Sequence, residues 1–371
     1  MVTVDFPPNW CPAVVGEDRA RDSVLVPQFD VQALISRGTA SARRRWPEAS
    51  VSAAAALPGG VSSLTYRATL AVPGKPELPI VLKVAPPGLP PVLNRDVLRQ
   101  ARIIRLLGAA DGVRVPTVLF EDAGRDEESP MFAMTLVDGE SYEPLLDVAE
   151  HPPAAETVTE RALAAARMLA HMQALDPKTL GIGDESVVSP SQELDRWARL
   201  LATVDDDIAP RHAELHAALA ERVPEPVAPT LLHGDYRLAN MIFAGSDLAA
   251  IIDWEIWSVG DPRTDLAWLL MHTNPAHRFR TARPVADIEA GGGMPSPAAL
   301  VDAYRDVRNV PLRDIDWFLA CSLYKTASTV SVVVKRNRRR TEPDPSLEVV
   351  AASIPAVVER GLALLAGAPI G

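Results

Sequence analysis

The sequence predicts an α+β chain of two lobes, a sheet-rich N-terminal one ending near Gly139 and a largely helical C-terminal one. Three observations carry this. Up to Val137 the apolar residues come in short strand-like runs separated by glycine and proline turns. Beyond Gly139 they recur at helical spacing. Inside that helical half, one polar-and-apolar weave at 231–253 again has the run lengths of strands. Residues 1–50 then form an N-terminal extension with a helix, 51–139 the first lobe and 140–371 the second.

The elements follow in order. Leu57-Pro-Gly-Gly-Val-Ser-Ser63 joins two apolar stretches. Its glycines suit an ordinary hairpin turn, and equally let backbone lie close over a phosphate, with Gly60, Ser62 and Ser63 as donors; the sequence leaves both open. Pro79-Ile-Val-Leu-Lys83-Val-Ala is a strand with one charge inside it. An ammonium is costly to bury unless it meets an anion, and phosphate oxygens would supply one; a strand-edge Lys facing water is the alternative. Leu93, Val97, Ala101 and Ile104 have the spacing of a helix over 93–107 buried on one face. Met131 to Val137 is a further strand, closed by the Asp138-Gly139 turn.

Past that turn, Val158, Ala162, Ala166, Leu169 and Met172-Gln173 mark a long helix, and Leu194–Leu201 and Leu215–Arg222 shorter ones, all of them core stripes. Asp265-Leu-Ala-Trp-Leu-Leu-Met-His opens a helix with an acid in its first turn, where the helix dipole favours a carboxylate. A helix over Trp317–Val334 leads into Lys335-Arg-Asn-Arg-Arg-Arg340, five positive charges in six residues. These read either as a solvated helix C-terminus or as an anion-binding rim.

The chemistry concentrates in LLHGDYRLANMIF followed by AAIIDWE. Leu231-Leu232, Met241–Phe243 and Leu248–Ile252 are short apolar runs that pin a loop carrying His233, Gly234, Asp235 and Asn240, with Asp253 ending the third run. An Asp five residues ahead of an Asn, with a second Asp after a strand, suits phosphoryl transfer. That reaction needs an acceptor hydroxyl held in line and metal ions spread over phosphate oxygens. Asp235 can orient the hydroxyl and accept its proton, while Asn240 and Asp253 offer the oxygen ligands that Mg2+ requires. His233 lacks a second His or Cys at ligand spacing and reads as a brace for the loop. A metal-dependent hydrolase built on His233 and Asp235 lacks the further histidines it needs.

HGDYRLAN, IIDWE and the following GDPRTDLAW resemble the aminoglycoside phosphotransferase and choline kinase family, a small-molecule branch of the protein-kinase-like fold. The wording is most similar to the kinase-like domain fused to acyl-CoA dehydrogenases in some proteins, from about Val51 to the C-terminus. The resemblance implies ATP and Mg2+ as cofactors, a small-molecule hydroxyl as acceptor, and Lys83 as the strand lysine that touches the nucleotide phosphates. It implies that main-chain groups around Thr135 to Val137 meet the adenine edge, and that Asp265 holds the catalytic loop through its N–H groups, with Asp261 part of the preceding turn. It also implies a helix Glu paired with Lys83. Here the sequence departs from the pattern, since that position falls on Gln100 and Asp96 lies one turn earlier as a rival. The departure motivates a second hypothesis, a catalytically silent kinase-like module that binds nucleotide or partners.

Composition excludes several classes. At 371 residues the chain can bury two cores, and 47% hydrophobic content supports a globular protein. Two cysteines, Cys11 and Cys321, imply no disulfide framework. The formal charge of −11 argues against a nucleic-acid partner. No basic-then-apolar leader and no apolar run of spanning length is evident, so the expectation is a cytoplasmic protein with no membrane partner. The oligomeric state is not legible. For the acceptor two readings stand: a polycationic aminoglycoside drawn to Asp205-Asp-Asp207, Asp253 and Glu255, or an anionic hydroxyacyl-CoA drawn to basic and apolar walls. The interval from Asp253 to Asp265 is too short for the activation segment of a protein-directed kinase.

Overall fold

A computed structural model describes residues 30–57, 63–90, 92–125, 128–144, 151–274 and 292–370. Gly60 and Ser62 lie outside the described residues. The described residues divide into two compact units: those from Asp30 to Gly139 together with Ala249–Ile256, and those of Glu140–Leu248 with those from Trp257 to Ile370.

In the first unit, strands β1 (Ser50–Ala56), β2 (Leu64–Ala71), β3 (Leu78–Val84), β4 (Val118–Asp122) and β5 (Met131–Thr135) form one antiparallel sheet in the order β1-β2-β3-β5-β4. Lys83 pairs in register with Thr65 on one side and Phe132 on the other, so it sits in a central strand and not at an edge. Ile80 and Leu82 on the same strand are fully buried, each worth about 1.5–3 kcal/mol of transfer free energy. Helix α1 (Val31–Arg43), capped by the Asp30 carboxylate, packs on β1 and β4 and sends Leu34 and Ala42 into the sheet's core. This helix lies within the stretch 1–50 expected as an N-terminal extension, and its apolar face covers the sheet.

Helix α2 begins at Val97 and ends at Ala109, preceded by a short 3-10 turn at Leu93–Arg95. The start expected at Leu93 is four residues early. Asp96 stops the helix there by accepting the Arg99 N–H at 3.0 Å, as short acidic side chains do at an N-cap.

In the second unit, α3 (Ala155–Ala174) buries a row of alanines, which lets α7 (Pro297–Arg305) approach closely. Helices α4 (Pro190–Leu201), α5 (His212–Glu221) and α6 (Arg263–Thr273) surround α8 (Ile315–Arg338), with α9 (Pro345–Ala351) and α10 (Ile354–Leu365) behind it. Ser189 and Gln192 close a reciprocal cap at the start of α4. Helix α8 has the length and hydropathy of a membrane-crossing helix, but 94% of that apolar window is packed inside the protein, which makes it a core helix here. A small sheet leads into the loop that carries Asp235: β10 (Ser258–Gly260) runs antiparallel to β7 (Thr230–Leu232) and parallel to β6 (Val187–Val188). Strands β8 (Met241–Ala244) and β9 (Asp247–Ile251) form a two-stranded sheet beyond the loop.

Candidate active site

The loop after β7 is built by local chemistry. Gly234 has φ +86°, a conformation that side chains rarely adopt, and it turns the chain between His233 and Asp235. The Asp265 carboxylate, in the first turn of α6, accepts the N–H groups of His233 and Gly234 at 2.6 and 3.0 Å. Burial raises the Asp265 pKa, against the opposing pull of His233 and the two N–H groups. His233 accepts the Asp235 N–H on Nδ1 at 3.2 Å, so it braces the loop. The Tyr236 hydroxyl donates to the Ala165 carbonyl on α3.

Asp235 is 4% exposed. One carboxylate oxygen accepts Trp268 Nε1–H at 2.7 Å, and the other accepts Asn240 Nδ2–H at 2.8 Å and Arg237 Nε–H at 3.3 Å. Burial alone would raise its pKa, but the positive charges of Arg237 and Lys325 outweigh burial and hold the carboxyl well below the usual range. It is thus a fixed anion able to orient a hydroxyl. Asn240 is 1% exposed; its amide nitrogen donates to the Asp235 backbone and side chain, and its Oδ1 is buried with no hydrogen-bond partner. A buried carbonyl-type oxygen in that state fits a hard cation. Among the described residues no three His, Cys, Asp or Glu side chains form a metal cluster by themselves, so the fit rests on single oxygens such as this one. Behind the loop, Glu143 accepts the Ala239 N–H and lies 4.0 Å from Arg237.

In the first unit, Lys83 Nζ donates to Asp253 Oδ1 at 2.7 Å and to Gln100 Oε1 at 3.3 Å. Burial works against the ammonium, yet Asp253 and Glu255 more than offset it and its pKa lies above the ordinary lysine value. Asp253 has φ +65°, a left-handed conformation that costs a non-glycine residue about 1 kcal/mol or more and is typical of functional turns. Gln100 occupies the position beside Lys83, and Asp96, the rival, is spent on the helix cap.

The remaining expectations divide. Ser63 is buried just before β2. The Thr135 N–H donates to the Thr117 carbonyl, its hydroxyl accepts from Thr117, and the Leu136 N–H donates to Pro79. The Thr135 N–H and hydroxyl and the Leu136 N–H are thus engaged within the sheet. Asp261 forms a buried bidentate pair with Arg263. Two residues of the basic run at the end of α8 are tied down: Arg338 pairs with Asp207 and Glu348, and Lys335 donates to the Thr203 carbonyl. The acidic and basic clues to the acceptor thus partly neutralise each other.

Sequence reasoning missed Trp268 as a ligand of Asp235, and with it Glu143 and Lys325. Lys325 is 4% exposed on α8 and donates to the Gly234 carbonyl at 2.6 Å. Its signal was available, a single charge inside an apolar helix, the same pattern that marks Lys83 in its strand.

The model of the Phosphotransferase enzyme family matches residues 53–304. Mouse (Mus musculus) acyl-CoA dehydrogenase family member 10 is 26% identical over 291 residues, covering 75% of this chain and 26% of that protein. The chain spans about a quarter of the length of the curated relatives it matches. A Ralstonia eutropha JMP134 protein assigned to the aminoglycoside phosphotransferases superposes with TM-score 0.70 at 21% identity, over 92% of this chain and 100% of the other. A thermostable variant of the aminoglycoside phosphotransferase APH(4)-Ia, in ternary complex with AMP-PNP and hygromycin B, superposes with TM-score 0.56 at 15% identity over 86% and 95%. The family match over well more than half the sequence, on an antiparallel sheet unit followed by a helical unit, places this chain in the phosphotransferase enzyme family, with the two-lobed α+β protein-kinase-like fold.

Proposed function

We propose that this chain moves the γ-phosphoryl group of ATP to a hydroxyl of a small molecule, aminoglycoside-like or hydroxyacyl-CoA-like, in the cytoplasm. The observation that carries this reading is the Lys83–Asp253 contact, 170 residues apart in sequence and 2.7 Å apart in space. A buried ammonium and a carboxylate on a left-handed turn are what triphosphate and metal binding require. The AMP-PNP and hygromycin B complex of APH(4)-Ia supports a nucleotide and a hydroxylated acceptor.

Each residue has one task. Lys83, steadied by Gln100, neutralises phosphate oxygens. Asn240 Oδ1 and Asp253 would hold Mg2+, which when bound offsets the charge on the phosphates. Asp235 orients the acceptor hydroxyl and takes its proton as the new oxygen–phosphorus bond forms and ADP departs. Its low proton affinity makes orientation the larger part of its role. Ser63, with Gly60 and Ser62, is assigned to the phosphates and Val137 to the adenine edge.

ADP release is to be followed with Mg2+, ATP and a panel of acceptor alcohols, for the wild type and Asp235→Ala. Turnover in the wild type, lost in a variant that still binds ATP, is expected. Equal turnover in both proteins overturns the role of Asp235, and no turnover with any acceptor favours a silent binding module.

A further inference from the structure

The turn that carries Asp235 is gripped by charged side chains from two helices. Asp265 on α6 accepts the N–H groups of His233 and Gly234. Lys325 on α8 donates to the carbonyl of Gly234 at 2.6 Å. That carbonyl belongs to the peptide bond leading into Asp235, and the N–H at the other end of the same bond donates to His233 Nδ1 at 3.2 Å. Both ends of this peptide group are therefore held. Gly234, at φ +86°, has no side chain to restrain it, so a peptide released at its carbonyl end would be free to swing and carry Asp235 with it.

The same ammonium reaches the Asp235 carboxylate by a second route. Trp268 follows Asp265 by three residues on α6, and its Nε1–H donates to Asp235 Oδ1 at 2.7 Å. A contact at one edge leaves an indole free to rock about its side-chain bonds. Here the ring face lies against Lys325 Nζ, 3.8 Å from the ring centre, a close cation–π contact. Held at an edge and on a face, the indole keeps its N–H aimed at the carboxylate.

Packing does not account for this lysine. Lys325 is 4% exposed, inside a helix with the length and hydropathy of a membrane-crossing one. An apolar side chain would fill the place with no charge to desolvate. What Lys325 touches is the Gly234 carbonyl and the rings of Trp268 and Trp197, the latter at 5.2 Å. The two shortest of these contacts converge on residue 235.

We propose that Lys325 is a positioning residue for phosphoryl transfer: it fixes Asp235 from two sides, through the Gly234 carbonyl and through the ring of Trp268, so that the carboxylate is aimed before an acceptor hydroxyl arrives. This rests on the transfer reading above and adds a residue to it. Lys325 itself meets no reacting atom. Its leverage is geometric, since a misplacement of about 1 Å at a reacting group costs about 100-fold in rate.

Lys325→Met, Trp268→Phe and the double variant test it. ADP release is followed with Mg2+, ATP and the acceptor alcohols above. Exchange of the Trp268 indole proton is followed by NMR, its signal identified by its absence in Trp268→Phe. Lys325→Met is expected to lower kcat about 10- to 100-fold with the KM for ATP within about twofold of wild type, and to speed indole exchange about tenfold or more. A lysine that only supports the fold would lower the folded fraction and leave kcat per folded molecule and the indole proton as they are. The double variant should lose clearly less than the product of the single losses, because both act on one carboxylate. Lys325→Gln keeps a donor near the carbonyl without the cation; its losses should fall between those of wild type and Lys325→Met, and it is read in the same way if Lys325→Met does not fold. An indole proton as slow in the folded variant as in wild type overturns the proposal, as do losses that multiply in full. So does a wild-type indole proton that exchanges as fast as in the urea-unfolded chain, whichever variants fold. A wild-type kcat in Lys325→Met sinks this proposal and leaves the transfer reading standing. Faster indole exchange in the variant, with no ADP release by the wild type from any acceptor, supports the hold of Lys325 on Asp235 and sinks the transfer reading alone.

Discussion

Mild acid is expected to destabilise the protein through His272, and the size of the effect can be worked out. This residue lies in the last turn of α6, its ring centre 4.5 Å from that of Trp268, its Nδ1–H donating to the Trp268 carbonyl at 3.0 Å. Burial, then the charge of Arg237, push its pKa from 6.5 down to about 3, with Asp235 pulling the other way. The sign follows from proton uptake. Below pH 6.5 the unfolded chain binds a proton at His272 that the folded chain refuses until about pH 3, so stability falls as pH falls through that window. Between pH 7 and pH 5 the loss is about 2 kcal/mol, an upper figure because the side chain keeps some exposure. Denaturant unfolding of the wild type and His272→Gln at both pH values isolates the term, since the other histidines contribute equally to each protein. The wild type should lose about 2 kcal/mol more than the variant. Parallel losses, or an NMR titration of His272 centred near 6.5, would refute the argument.

Three further outcomes are expected. Lys83→Met and Asp253→Asn should each cost about 3–5 kcal/mol in urea unfolding, because each strands a buried charge, and the double variant should cost clearly less than the sum; additive losses would show that the pair is not coupled. Trp268→Phe removes the N–H donated to Asp235 while keeping a ring beside Lys325. Losing one hydrogen bond to a buried charge is worth about 1.5–3 kcal/mol, so kcat should fall about 10- to 150-fold with the KM for ATP unchanged, and a kcat within threefold of wild type (about 0.7 kcal/mol) would discount that bond. Because Arg237 and Lys325 keep Asp235 ionised well below the usual carboxylate range, ADP release should show no acid limb from this residue down to about pH 5. A limb that moves when Arg237 is replaced by Met would place the carboxyl's proton affinity far higher than argued.

What the sequence revealed and what it hid divide on physical lines. The loop from His233 to Asn240 was legible because its pattern is written locally: strand, glycine turn, Asp, four residues, Asn, strand. Lys83 was legible because a charge inside an apolar strand demands an explanation. Asp265 was legible as an acid at a helix start. Trp268 was hidden because an indole in an apolar helix reads as packing, and only the fold reveals that its one polar atom faces Asp235. Asp96 was misread by a four-residue error in where α2 begins, which turned a capping residue into a rival ligand. The N-terminal helix was expected but its partner was not, because the β1 and β4 face is reached only through tertiary packing. Arg338 and Asp207 are 131 residues apart, so no reading of either charged run alone could show that they pair.

Gln100 bears on whether this chain is an enzyme at all. The case for a silent module began from an amide standing where the family carries a carboxylate beside the strand lysine. What that carboxylate must do is keep the ammonium charged and aimed. Here Asp253 supplies the charge at 2.7 Å, Glu255 adds to it, and the Gln100 carbonyl oxygen fixes direction at 3.3 Å while its Nε2 donates to the Asn94 carbonyl. The net effect on Lys83 is a pKa above the ordinary value despite burial, so the ammonium stays charged. A second full negative charge at position 100 would bind the ammonium more tightly and compete with phosphate oxygens for it. The amide is thus compatible with a lysine that is positioned yet still available to a nucleotide.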